Sequence, residues 1–208
     1  MRLRIDAVIF DYGNVLSRVP EQDDIDAMAA IMRVDTERFL EGYWQHRLDY
    51  DCGMPSSAYW QAVADFLQIE LMQGEADQLT KIDAISWSRP NSNMAQLAYR
   101  LHRAGIELAI LSNMPMDIKI YLENNCDWLP EFVHRTYSCD LKFAKPDPRI
   151  YEHTVNKMAR HEERIVFIDD RQENIDAAQK IGINSLLFSG FERLVEDLGE
   201  TSLKEHLK

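Results

Sequence analysis

Three short apolar runs constrain this chain more than anything else in it. They are Ala7-Val8-Ile9-Phe10, Ile106-Glu107-Leu108-Ala109-Ile110-Leu111 and Ile165-Val166-Phe167-Ile168. Continuous runs of this length, bounded by turn residues, read as strands buried on both faces, as in a parallel sheet. Each run stops at polar residues: Asp11, Ser112-Asn113 and Asp169-Asp170. Parallel sheets bind ligands just beyond the carboxyl ends of their strands, so these residues are the first candidates for a site. Gly13 follows Asp11 by two positions and is read as letting the backbone turn closely beneath a ligand.

Helical patterns separate the runs. Met94, Leu97 and Leu101 mark a helix that stops at Gly105. Pro115 is placed to open the next helix, and Asp147-Pro148 to cap and start another. Ile175, Ala178 and Ile181 form an inward face ending at Gly182, Leu186 to Phe188 a further strand, and Phe191 to Leu198 a closing helix. This alternation predicts an α/β fold, a doubly wound, Rossmann-like parallel sheet.

The stretch from Arg18 to Ser88 contains no such run. It shows four helical patterns: one from Asp23-Asp24, one capped by Asp35, one capped by Ser56, and one from Glu75 to Ile85. Tyr50 to Pro55 reads as a turn between the second and third. The expected organisation is a core of residues 1–16 and 89–208 with an inserted α-helical cap of residues 17–88.

Net charge narrows the partners. A formal charge of −12 argues against nucleic acid or an anionic membrane surface. No apolar run is long enough to span a bilayer, and the amino terminus lacks the apolar segment of a signal peptide. Three cysteines without CxxC spacing fit reduced thiols in the cytoplasm. An anionic small molecule is still compatible, because a site needs only local cations.

The strand ends supply chemistry. Two carboxylates 4 Å apart repel by about 4 kcal/mol at an effective dielectric of 20, and a lysine or a divalent cation relieves this. Magnesium takes oxygen ligands, typically one or two carboxylates with water and a phosphate. Asp11, Asp170 and the Gly13 carbonyl are therefore candidate Mg2+ ligands. Ser112, the Asn113 backbone N–H and Lys145 are candidates to hold the remaining phosphate oxygens. Asp11 can itself attack phosphorus and form an aspartyl-phosphate.

With these residues in place, the chain resembles the haloacid dehalogenase superfamily of hydrolases. The resemblance runs through Phe10-Asp11-Tyr12-Gly13-Asn14-Val15-Leu16, Leu111-Ser112-Asn113, Lys145-Pro146-Asp147-Pro148 and Phe167-Ile168-Asp169-Asp170 with Asn174 beyond. It implies Asp11 as nucleophile and, with Asp170 and the Gly13 carbonyl, as magnesium ligand. It also implies Ser112 and Asn113 on the phosphoryl group, Lys145 stabilising its charge, Asp169 in support and Asn174 in the outer shell. The insert is similar to that superfamily's C1 cap. The implied substrate is a small phosphorylated molecule, and the first motif is similar to a subgroup that includes sugar-1-phosphate phosphatases.

One position departs from the pattern. Phosphatases of this superfamily usually carry a second Asp where Gly13 stands, as acid and base for the leaving group and for water. Three readings follow: a phosphatase with its acid–base group elsewhere, a metal-independent 2-haloacid dehalogenase, or a slow or non-catalytic binder of a phosphorylated ligand or protein partner. The cap stretch Tyr43 to Asp51 offers Arg47 for an anionic substrate group or a surface ion pair, and His46 or Asp49 as replacement acid–base groups. Tyr43, Trp44 and Trp60 are expected in the cap's own core, and hinges near Leu16–Pro20 and Ser88–Asn91.

Overall fold

In the computed structural model, which describes residues 3–207, the apolar runs are strands of one five-stranded parallel sheet. The strands β1 (Ala7–Phe10), β2 (Glu107–Ser112), β3 (His134–Tyr137), β4 (Ile165–Asp169) and β5 (Asn184–Leu187) lie in the order β3-β2-β1-β4-β5. β1 is central, with Phe10 opposite Ile110 of β2 and Ile168 of β4. The chain steps from β1 outward to β3, then returns to the other side of β1 for β4 and β5. That reversal leaves a crevice at the carboxyl ends of β1 and β4, where doubly wound sheets place ligands. The sequence pattern did not reveal β3. It is a four-residue edge strand, His134-Arg135-Thr136-Tyr137, whose first two residues are not buried, so it carries no apolar run.

After β1, and before the helix that leads into β2, the chain forms five helices: α1 (Gln22–Met32), α2 (Thr36–Gln45), α3 (Arg47–Asp51), α4 (Ser56–Leu67) and α5 (Glu75–Trp87). They enclose an apolar core of their own, with Met28, Phe39, Tyr43, Tyr59, Trp60 and Leu79 buried at its centre. Asp35 caps α2 through the Arg38 N–H at 2.9 Å. Ser56 is not a cap: Pro55, extended at ψ 143°, precedes α4 and makes Ser56 its first helical residue. The turn expected at Tyr50-Asp51 is instead the end of the short helix α3, which begins after a break at His46. The insert's entry and exit lie side by side. Arg18 N–H donates to Arg89 O and Asn91 N–H to Leu16 O, both at 2.8 Å.

The sheet is covered by α6 (Ser92–Arg103), α7 (Met116–Asn125), α9 (Pro148–Met158), α10 (Gln172–Lys180) and α11 (Phe191–Leu198), with a short α8 (Ser138–Leu141) after β3. Side chains alternate between two layers, as the period of two in a strand requires. Val8, Phe10, Ile110 and Ile168 pack with Leu97 and Leu101 of α6 and Leu194 of α11. Ile9, Leu111 and Phe167 pack with Ile150 of α9 and Ile175 of α10 on the other face. Each such buried side chain is worth about 1.5–3 kcal/mol, so the strand ends are held by a well-packed frame. Asp147 caps α9 through Arg149 N–H (3.0 Å), with Pro148 first in the helix. Pro115 precedes α7 in extended conformation instead of opening it. Among the described residues no helix is long and apolar enough to cross a membrane.

Candidate active site

Asp11 leaves β1 at the switch point, its backbone N–H still donating to Ile168 O at 2.8 Å. The chain then makes one wide turn, closed by Ser17 N–H on the Tyr12 carbonyl at 2.8 Å. The left-handed residue in that turn is Asn14 (φ 57°), not Gly13. Gly13 has φ −62° and ψ 131°, which any residue can adopt. A Cβ at Gly13 would meet the Trp87 ring at 3.5 Å, an ordinary contact. The expectation that glycine is needed there for backbone freedom is therefore corrected: what occupies the space is Trp87 of α5.

The carboxylates converge. Oxygens of Asp11, Asp169 and Asp170 lie within 4.8 Å of one another. Lys145 Nζ bridges two of them, donating to Asp11 Oδ1 at 2.8 Å and to Asp169 Oδ2 at 2.6 Å. Asp11 Oδ1 also accepts the Tyr12 N–H at 2.6 Å. Asp169 is fully buried, and its Oδ1 accepts from Arg171 N–H at 2.8 Å and Asn174 Nδ2 at 2.9 Å. Asp170 Oδ2 accepts from Asn14 Nδ2 at 2.8 Å. Burial pushes the Asp11 carboxyl up to about 7, with Lys145 pulling it down and Asp169 pushing it further up. Burial works against the charge on Lys145, but Asp11 and Asp169 outweigh it and raise its pKa.

This donor set fits a hard cation. All three groups are oxygen donors, the set magnesium favours. Asp11 Oδ2 and Asp170 Oδ1 accept no hydrogen bond from the described residues, whereas both oxygens of Asp169 are engaged. Asp11 and Asp170 are thus the residues free to hold Mg2+, and Asp169 orients Lys145. Asn174 holds Asp169 in turn. Its own Oδ1 is buried without a partner.

Ser112 closes β2 and is buried beside Asp11 in the same cavity. The Asn113 side chain clamps the lysine loop: its Oδ1 accepts Lys145 N–H at 2.8 Å and its Nδ2 donates to Lys145 O at 2.9 Å. That clamp carries Lys145 from a surface loop to the switch point.

The cavity has a volume of about 270 Å³. Asp11, Gly13, Ser112, Lys145 and Asp170 form its floor, and Val19, Trp44, Trp87, Met114 and Ile118 its apolar walls. Trp44 is corrected from cap core to cavity wall; it is 54% exposed, while Tyr43 and Trp60 are buried as expected. Arg47 also lines the cavity and is buried, not a surface ion pair. Its Nε donates to Asp51 Oδ1 at 3.1 Å and its Nη1 to Asp83 Oδ2 at 3.2 Å and to the Tyr43 hydroxyl. Rings of Tyr43 and Tyr50 lie 5.0 and 5.5 Å from the guanidinium. His46 and Asp49 do not line the cavity. Asp51, which the sequence stretch contains without distinguishing, does. The i, i+4 spacing of Arg47 and Asp51 is the signal that could have found it.

Fold and site together define an α/β enzyme with a lysine-bridged carboxylate centre at the switch point of its sheet. The chain belongs to the haloacid dehalogenase-like hydrolases, whose family profile matches residues 5–182, and it is a hydrolase. It is 26% identical over 192 residues to the sesquiterpene phosphatase astK of Aspergillus oryzae, covering 86% of this chain and 88% of that protein. It is likewise 26% identical over 194 residues to the (S)-2-haloacid dehalogenase 4A of Burkholderia cepacia, covering 86% and 81%. In fold it is similar to a haloacid dehalogenase family enzyme from Bacteroides thetaiotaomicron solved with magnesium and inorganic phosphate. There the TM-score is 0.72 at 18% identity, covering 91% of this chain and 98% of that one.

Proposed function

We propose that the chain is a magnesium-dependent phosphatase that hydrolyses a small phosphomonoester through an aspartyl-phosphate on Asp11. The observation that carries this reading is the free oxygen pair, Asp11 Oδ2 and Asp170 Oδ1, beside Lys145 and Ser112 in one cavity. Asp11, Asp170 and the Gly13 carbonyl would hold magnesium, which would supply positive charge to the phosphoryl oxygens. Lys145 would keep the Asp11 carboxylate oriented for attack by its bond to Oδ1. Ser112 and the Asn113 N–H hold the transferring group. Donors of this kind are each worth about 3–4 kcal/mol of barrier.

A cavity of about 270 Å³ suits a small substrate, and the ring faces of Trp44 and Trp87 suit either a sugar or an apolar alcohol. A sugar 1-phosphate is the first candidate, and the phosphatase relative adds an isoprenoid phosphate. Residues 17–88 act as a cap that closes on the core about the paired segments at Leu16–Pro20 and Ser88–Asn91. The free thiols of Cys52, Cys126 and Cys139 support a cytoplasmic setting.

The dehalogenase relative supports a second reading, metal-independent halide release. The three-carboxylate cluster weighs against it, since without a cation two of its oxygens have no counter-charge. A panel of phosphomonoesters with Mg2+, repeated with a chelator and with Asp11→Asn, tests the proposal. The expected result is phosphate release that both treatments abolish. Halide release from a 2-haloacid in the presence of chelator, with no phosphate release, would overturn it. Silence on every substrate favours the non-catalytic reading.

A further inference from the structure

A phosphoryl transfer to Asp11 needs a proton for the leaving oxygen and then a base for water. Gly13 offers neither. The titratable groups that line the cavity can be taken in turn. Asp11 is the proposed nucleophile and Asp170 the proposed metal ligand. Lys145 is tied to two carboxylates, which hold its proton. The Tyr12 hydroxyl donates to Trp87 O at 3.0 Å, and burial raises its pKa far out of working range. Arg47 and Arg171 are guanidinium groups, which do not release a proton.

Asp51 remains: it lines the cavity, and its backbone is tied to the core. The Ser138 hydroxyl donates to the Asp51 carbonyl at 2.5 Å and accepts Met114 N–H at 2.9 Å. One side chain thus joins the end of α3 to the loop that carries Ser112 and Asn113. Asp51 Oδ1 accepts from Arg47, while Oδ2 accepts no hydrogen bond from the described residues. Two carboxylates, Asp51 and Asp83, share the single guanidinium of Arg47. Burial with Asp83 nearby raises Asp51 to about 6 against the pull of Arg47 and Lys145.

We infer that the Asp51 carboxyl is the proton donor to the leaving oxygen and the proton acceptor from the attacking water, an assignment that rests on the phosphatase reading. In the first step an Asp11 carboxylate oxygen bonds to phosphorus, the P–O bond to the leaving group breaks, and Asp51 protonates the departing oxygen to give the alcohol. In the second, Asp51 takes a proton from water as the water oxygen attacks phosphorus. The P–O bond to Asp11 breaks, inorganic phosphate departs, and Asp11 is again a carboxylate and Asp51 again protonated. The acid–base group thus comes from the insert, and chemistry requires α3 to be in place.

The test compares Asp51→Asn with wild type, both with Mg2+, on p-nitrophenyl phosphate and on an alkyl phosphate. The first leaving group departs without a proton and the second does not. For the variant, a stoichiometric burst of p-nitrophenol with steady-state turnover lowered about 10²–10⁴-fold is expected, and no burst on the alkyl ester. Equal loss on both esters, burst included, marks a structural role and overturns the assignment; so does an unimpaired variant. If the variant does not fold, the wild type decides: a shallow dependence of kcat/KM on leaving-group pKa supports a proton donor, and a steep one overturns it. Wild-type inactivity on both esters overturns the phosphatase reading itself.

Discussion

Lys145 is the residue on which the centre depends. It is buried, and its ammonium is the only cation bonded to Asp11 and Asp169 among the described residues. Removing one partner of a buried pair leaves its counterpart charged without compensation, which costs about 3–5 kcal/mol. Lys145→Met is expected to lose that much stability in a denaturant titration, together with activity; a loss below 1 kcal/mol would mean the carboxylates do not need it. Gly13 gives the opposite expectation. Its backbone is ordinary and its Cβ direction meets only Trp87 at contact distance. Gly13→Ala is expected to fold normally and to gain about 0.4–1 kcal/mol from the stiffer unfolded chain. A loss of more than 1 kcal/mol in the same titration would show that the turn needs glycine after all.

At the scale of elements, α3 links insert to core through Tyr50, whose hydroxyl donates to Asp117 of α7 at 3.3 Å, and through the Ser138 bridge. Its Asp51 is raised in the folded protein, so its stabilising contribution is present at low pH and lost as pH rises through about 6. The groups facing it are Arg47 on its own helix, Asp83 of α5 and Lys145. Asp51→Asn removes this titration, so its thermal midpoint relative to wild type should rise between pH 4 and about 7. A difference that stays flat or falls would contradict this. The same helix shows what the sequence could and could not convey. Asp11, Ser112, Asp169 and Asp170 were legible because each terminates an apolar run, and Lys145 because it stands in a loop between two helices. Asp51 was not, because a five-residue helix has too few turns for a period, and its i, i+4 spacing to Arg47 fits a plain ion pair until the cavity is seen. β3 escaped for a related reason: an edge strand buried only at its carboxyl end has no continuous apolar stretch to betray it.

On the scale of the whole molecule, a chain of net charge −12 buries two cations, Lys145 and Arg47, among buried carboxylates. Lys145 and Arg47 each serve two carboxylates, and the proposed divalent ion would answer the remaining charge at Asp11 and Asp170. Magnesium at 100 times its dissociation constant is expected to stabilise the wild type by about 2.7 kcal/mol, seen as a raised thermal midpoint. Asp170→Asn should lose most of that gain; an equal gain in both would place the ion elsewhere. The insert completes the site by bringing Asp51, Trp44 and Trp87 over the sheet edge. The proposed mechanism passes through a covalent intermediate at Asp11. The direct measurement is mass spectrometry of the peptide containing Asp11, acid-quenched during turnover of p-nitrophenyl phosphate with Mg2+, in the Asp51→Asn background where the intermediate should accumulate. One phosphoryl group on that peptide, absent with chelator, is the predicted result; turnover with no adduct on Asp11 would contradict the mechanism.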